Sequence, residues 1–243
     1  MAISWIFLDA GNTLIGLEYA HLTAAMEAAG LPVTEPALRA AEGPARRALD
    51  LALVKRWERG DVPRTGWVEE RLWRRYWSDA LRGLGAPPGR IDELTEVALA
   101  VTRPAASWTR VDPQLEAILI GLRARGLGLG VISNSSGTLE THLRDLGLAR
   151  HFQFVIDSHH AGVEKPHPDI FAEALRRAGG VPAGAALYAG DVYGIDVLGA
   201  SGAGLHGVLF DPLGQWDPSL APAAVPACRT VASLEALGAL LDP

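Results

Sequence analysis

Cysteine is almost missing from this 243-residue chain: Cys228 stands alone, so no internal disulfide and no cysteine-based metal spacing is available. A reducing compartment fits that usage. Long apolar runs are missing too. The opening Met1-Ala2-Ile3-Ser4 has no basic residue ahead of an apolar stretch, and Asp9 interrupts the hydrophobic run that follows. Neither a signal peptide nor a membrane span is expected, and a cytoplasmic protein is. Positive charge is not in excess: 22 Lys and Arg against 28 Asp and Glu give a formal net charge of −6. That balance argues against a nucleic-acid or anionic-membrane surface while leaving room for a local basic pocket. His159, His160 and His167 lack the company of cysteines or a His-Glu helical motif, so they read as surface residues rather than zinc ligands. There is no internal repeat, and low complexity is confined to the Ala/Pro stretch at 221–227.

What is present is ample apolar material, 49% of residues, enough for one large domain or one domain carrying an insert. The chain is organised around Ile3-Ser4-Trp5-Ile6-Phe7-Leu8-Asp9-Ala10-Gly11-Asn12-Thr13-Leu14-Ile15, a short apolar run ending in a carboxylate and then a tight polar turn. Such a run reads as an interior parallel strand. Ligands collect beyond the carboxyl ends of these strands, where Asp9 falls. By itself an Asp closing a strand is more often a turn former or helix cap than a nucleophile.

Between Ile15 and Pro104 nothing reads as a strand. Tyr19, Leu22, Met26 and Ala29 keep helical spacing up to Gly30-Leu31-Pro32. Residues 34–60 read as two helices broken near Gly43-Pro44. Thr65 reads as the N-cap of a helix bearing Leu72, Tyr76, Trp77 and Leu81, an aromatic stripe suited to packing, and Arg90 to Thr102 reads as a further helix. From Asp112 onward strands and helices alternate: strands at 127–132, 154–156, 185–189 and 206–210, and helices from Asp112-Pro113 to Gly126, at 138–146, 168–178 and 195–203, with a last helix at 233–241. The pattern predicts an α/β fold, a doubly wound parallel sheet covered on both faces, with an inserted all-helical cap.

Four strand ends carry polar groups that one sheet edge would gather: Asp9, Ser133-Asn134, Lys165 and Asp191. Their order and chemistry resemble the haloacid dehalogenase-like (HAD) superfamily in Phe7-Leu8-Asp9-Ala10-Gly11-Asn12-Thr13-Leu14, Val131-Ile132-Ser133-Asn134, Glu164-Lys165-Pro166-His167-Pro168-Asp169-Ile170-Phe171 and Gly190-Asp191-Val192-Tyr193-Gly194-Ile195-Asp196. The resemblance covers essentially the whole core. It implies a Rossmann-like core of residues 1–15 and 106–243 and a helical cap of residues 16–105. It implies Asp9 as a nucleophile that forms an aspartyl-phosphate, and Mg²⁺ held by Asp9, Asp191 and the backbone carbonyl of Gly11. Lys165 would neutralise Asp9 and the phosphoryl oxygens, Ser133 and the amide of Asn134 would bind phosphate, and Asp196 would orient Lys165 or metal-bound water.

Phosphatases of this family usually carry a second aspartate two residues after the nucleophile, as the acid that protonates the leaving group; here that position is Gly11. Three readings follow. One is a Mg²⁺-dependent phosphatase acting on a small phosphorylated metabolite, which is slow, takes an acid from the cap or the substrate, or prefers a good leaving group such as an acyl phosphate. Another is a 2-haloacid dehalogenase, which needs neither the acid nor the metal but lacks an aspartate at the position of Asp191. The third is a non-catalytic protein that binds a phosphorylated ligand or a partner. The sequence is silent on oligomeric state.

Overall fold

The computed structural model describes residues 2–223 and 228–241. Its centre is a sheet of six strands in the order β3-β2-β1-β4-β5-β6: β1 (Trp5–Leu8), β2 (Gly128–Ser133), β3 (Phe154–Asp157), β4 (Ala186–Gly190), β5 (His206–Phe210) and β6 (Arg229–Val231). Every neighbouring pair is parallel. Successive side chains point to opposite faces, so Ile6 and Leu8 join Leu129, Val131 and Leu187 on one side, while Phe7 joins Ile132, Ile156 and Tyr188 on the other. The first face is covered by α5 (Leu115–Ala124), α6 (Leu139–Asp145) and α10 (Glu235–Ala239). Ile170, Phe171 and Ala174 of α8 (Pro168–Arg177) and Ala200 of α9 (Leu198–Gly202) cover the second. Burial on both faces is why β2 reads as a continuous buried run rather than an alternating one.

The strand order reverses at β1: the chain steps to β2 and β3 on one side and then crosses to β4 on the other. That reversal opens a crevice at the carboxyl ends of β1, β2 and β4. Over it lie four helices, α1 (Tyr19–Ala28), α2 (Glu35–Glu58), α3 (Glu70–Gly83) and α4 (Ile91–Thr102). They share an apolar core of their own, built on Leu22, Leu53, Trp67, Leu81 and Leu94, which also takes in Val192 and Ile195 from the segment after β4. No strand occurs between Tyr19 and Thr102 among the described residues. The two segments leading in and out are tied together: Gly16 and Arg110 exchange backbone hydrogen bonds of 2.6 and 3.1 Å, and Glu18 N–H donates to the Ser107 carbonyl at 2.7 Å.

Several expectations need correction. Residues 35–58 form one helix, not two, with Pro44 inside it. A proline there forfeits the bond to the Ala40 carbonyl and costs about 3 kcal/mol. Leu38, Ala45, Leu49 and Leu53, buried along one face, outweigh that cost, since each fully buried leucine contributes roughly 1.5–3 kcal/mol. Thr65 does not cap α3, which begins at Glu70 after an N-cap at Glu69. The chain before it is held instead against the core: the Glu164 carboxylate accepts the amides of Gly66 and Trp67 at 2.8 and 3.3 Å, and the fully buried Trp67 indole donates to the Gly194 carbonyl at 3.1 Å. Two short elements had no signal strong enough to read, the four-residue helix α7 (Ser158–Ala161) and the edge strand β6. The helix expected from 195 is a π-helical turn, Tyr193–Val197, running into α9. The Ala/Pro stretch runs into 224–227, which lie outside the described residues. No described helix is long and apolar enough to cross a membrane.

Candidate active site

Asp9 leaves the end of β1 with its amide donating to the Ala189 carbonyl of β4 at 2.9 Å, and its side chain is buried in the crevice. Facing it is Lys165, only 2% exposed, whose Nζ donates to Asp9 Oδ1 at 2.7 Å, to Asp196 Oδ1 at 2.7 Å and to the Tyr188 hydroxyl at 2.6 Å. The ammonium thus uses all three of its donors. Burial pushes the Lys165 amine down, but Asp196 and Asp9 outweigh it and hold the group above the usual lysine range. Burial pushes the Asp9 carboxyl up to about 6, reinforced by Asp196 and Asp191 and opposed by Lys165.

Lys165 reaches this point because Asn134 at the end of β2 holds its peptide on both sides. Asn134 Oδ1 accepts the Lys165 amide at 2.8 Å, and its Nδ2 donates to the Lys165 carbonyl at 2.9 Å. Ser133, the last residue of β2, is buried and opens on the same cleft. Asp196 accepts the Val192 amide on Oδ2 at 2.9 Å from within the π-helical turn. Its carboxylate lies so close to β4 that a Cβ on Gly190 would come within 2.3 Å of it, which only glycine avoids.

Asp191 completes the group. Its Oδ2 accepts Asn12 Nδ2 at 3.1 Å and Arg46 Nη1 at 2.6 Å, and Arg46 also donates to its backbone carbonyl at 3.0 Å. One carboxylate oxygen from each of Asp9, Asp191 and Asp196 falls within 4.8 Å of the other two. Asp196 spends both its oxygens on Lys165, Tyr188 and Val192. Asp9 Oδ2 and Asp191 Oδ1 accept no hydrogen bond from the described residues. An all-oxygen donor set centred on two carboxylates suits a hard divalent cation such as Mg²⁺.

A family model for haloacid dehalogenase-like hydrolases matches residues 3–204. The chain belongs to the haloacid dehalogenase-like hydrolase family. It is 40% identical over 143 residues to haloacid dehalogenase-like hydrolase domain-containing protein 3 of Mus musculus, covering 56% of this chain and 55% of that protein. It is 36% identical over 159 residues to phosphoserine phosphatase of Thermus thermophilus, covering 65% and 60% respectively. The chain therefore matches little more than half the length of these curated relatives. Among solved structures, the HAD-type protein YfnB of Bacillus subtilis, solved bound to magnesium, aligns over 100% of both chains with a TM-score of 0.66 at 18% identity, a likeness of fold.

In this HAD-like hydrolase the helical layer contributes groups to the site that the sequence did not single out. A cleft of about 680 Å³ separates the sheet edge from the helices and is lined by Asp9, Lys165 and Asp191 below and by Tyr19, Glu42 and Arg46 above. Trp108, on the return segment, packs its ring over Gly11: a Cβ built there would lie 3.5 Å from the indole. The one sequence signal for Arg46 is its period. Glu42, Arg46 and Asp50 recur every fourth residue along α2, which stacks three charged side chains on one helix face.

Proposed function

We propose that this chain is a Mg²⁺-dependent phosphatase for small phosphorylated metabolites. Residues 16–105 would act as a helical cap over a core of residues 1–15 and 106–243. The observation that carries the reading is Lys165, buried between Asp9 and Asp196 with the Asp191 carboxylate beside them. A dianionic phosphoryl group entering beside ionised Asp9 needs compensating positive charge, and a buried ammonium 2.7 Å from the nucleophile is pre-aimed to supply it. The Asp9 carboxylate is the group able to attack phosphorus, forming an aspartyl-phosphate that water then opens. Ser133 and the Asn134 amide would hold the phosphoryl oxygens, and Asp196 would keep Lys165 in place.

Asp9, Asp191 and the Gly11 carbonyl would hold Mg²⁺, which when bound supplies charge for the phosphoryl oxygens. The Asp191 carboxylate also speaks for a metal-dependent hydrolase over a metal-free dehalogenase. Gly11 would stand where the family's phosphatases carry their acid. Its φ is not among the positive ones, so backbone strain does not call for glycine.

The test is release of inorganic phosphate from phosphoserine, glyceraldehyde 3-phosphate and p-nitrophenyl phosphate, and of halide from 2-chloropropionate, each with Mg²⁺ and with chelator. Phosphate release abolished by chelator is expected. Halide release in chelator, or no release from any substrate, would refute the reading.

A further inference from the structure

We propose that Glu42, reaching down from α2, is the acid/base catalytic residue of this site, replacing a proton donor that Gly11 cannot provide. The inference rests on the phosphatase reading above. An alkoxide leaving group must be protonated as its bond to phosphorus breaks, and the water that opens the aspartyl-phosphate must lose a proton. Gly11 has no side chain to give a proton, so in this chain the donor has to come from elsewhere.

The cleft holds few groups able to move that proton. Glu70 is exposed and paired with Arg103 at 2.8 Å. Glu164 is engaged by the amides of Gly66 and Trp67. His142 Nε2 is bonded to the Trp108 carbonyl at 2.7 Å. Glu42 is different. It stands one turn before Arg46 on the same face of α2, and side chains so spaced are neighbours roughly 5–6 Å apart. Arg46 touches Asp191, and Glu42 lines the same cleft as Asp9, Lys165 and Asp191.

Its carboxyl is built in from both sides: the Tyr19 hydroxyl donates to Oε1 at 2.8 Å and the Tyr76 hydroxyl to Oε2 at 2.5 Å. Each oxygen keeps a second lone pair for substrate or water. The charged and titratable groups around it are Tyr19 of α1, Tyr76 of α3, and Arg46 and Arg39 of its own helix. Burial pushes Glu42 above the ordinary carboxyl range, against the pull of the two tyrosine hydrogen bonds and the two arginines. A carboxyl raised in this way keeps its proton closer to neutral pH, as a general acid requires.

The step balances. As the Asp9 carboxylate forms its bond to phosphorus, the P–O bond to the leaving group breaks and the Glu42 proton passes to that oxygen, releasing a neutral alcohol. The Glu42 carboxylate then takes a proton from water as the water oxygen attacks phosphorus and the bond between phosphorus and Asp9 breaks, its electron pair returning to the Asp9 carboxylate. Phosphate leaves, and Asp9 and the protonated Glu42 are restored.

The experiment compares wild type, Glu42→Gln and Glu42→Asp on phosphoserine and on p-nitrophenyl phosphate, whose phenolate departs without help, with folding checked by circular dichroism. For Glu42→Gln, kcat on phosphoserine should fall on the order of 10²-fold or more while kcat on the aryl ester falls less than about threefold. Glu42→Asp keeps a carboxyl and should lose far less than Glu42→Gln on phosphoserine, and any loss should again be larger on phosphoserine than on the aryl ester, which gives a second reading if the glutamine variant misfolds. Equal losses on both esters, or none, would overturn the assignment while leaving the phosphatase reading intact. Wild type inert towards both esters would overturn the two together.

Discussion

Asp50 offers a prediction whose size follows from its surroundings. It is 3% exposed on α2, between the helical layer and the turn after β4, and its Oδ1 accepts the Gly194 amide at 3.0 Å. Burial raises its carboxyl from 3.8 to about 7; the Gly194 amide and Arg46 oppose the rise, and Asp191 and Asp196 add to it. In the unfolded chain it titrates near an ordinary aspartate value of ~3.9. Between those two values the native state holds a proton that the unfolded state has lost, so raising the pH favours unfolding. The contribution of Asp50 to stability is fully present below about pH 4 and is lost as pH rises through about 7. At ~1.4 kcal/mol per pH unit, the window amounts to on the order of 4 kcal/mol.

Asp50→Asn removes the titration and keeps an oxygen for the Gly194 amide. Urea unfolding in chelator, on variant and wild type in parallel, isolates this residue from other buried carboxylates because they titrate in both proteins. The variant's stability relative to wild type should rise by roughly 2–3 kcal/mol between pH 5 and pH 8. A relative stability that stays flat across that range would mean Asp50 is ionised in the native protein, held so by Arg46, and the desolvation argument would fail.

Three further outcomes follow. Lys165→Met leaves Asp9 and Asp196 without their buried countercharge and should cost about 3–5 kcal/mol in urea unfolding at pH 8; a loss under about 1 kcal/mol would show the carboxylates rehydrated. Calorimetry with Mg²⁺ on Asp191→Asn should give weaker binding, because one anionic ligand becomes neutral, and an unchanged affinity would move the cation elsewhere. Gly11→Asp should speed hydrolysis of an alkyl phosphomonoester more than that of an activated aryl ester. The gain should be larger when Glu42→Gln is also present; an identical gain in both backgrounds would separate the two positions chemically.

Much of the core could be read in one dimension. Strands buried on both faces announce themselves as short apolar runs, and Gly30, Gly126 and Gly147, all at positive φ, end helices where the sequence predicted. The 206–210 strand has the predicted limits, and the helix at Pro168 starts where expected. The errors fell where tertiary packing overruled a local signal. Pro44 is carried through α2 by the apolar face around it. The expected cap at Thr65 gave way because Glu164 and Gly194 hold the Gly66-Trp67 segment against the core.

For the site, the sequence by itself determined the carriers of charge along the sheet edge. Each parallel strand delivers whatever follows its carboxyl end to the same crevice, so Asp9, Ser133-Asn134 and Asp191 were legible as strand ends, with Lys165 from the third motif. Only the tertiary structure decided how they are used. Lys165 divides its three donors among Asp9, Asp196 and Tyr188, and Asn134 grips the lysine's peptide. Glu42 and Arg46 were invisible as site residues because a charged side chain on a long helix reads as solvated surface. What makes them part of a site is the docking of α2 across the end of β4, a contact between residues some 145 positions apart that no local pattern encodes.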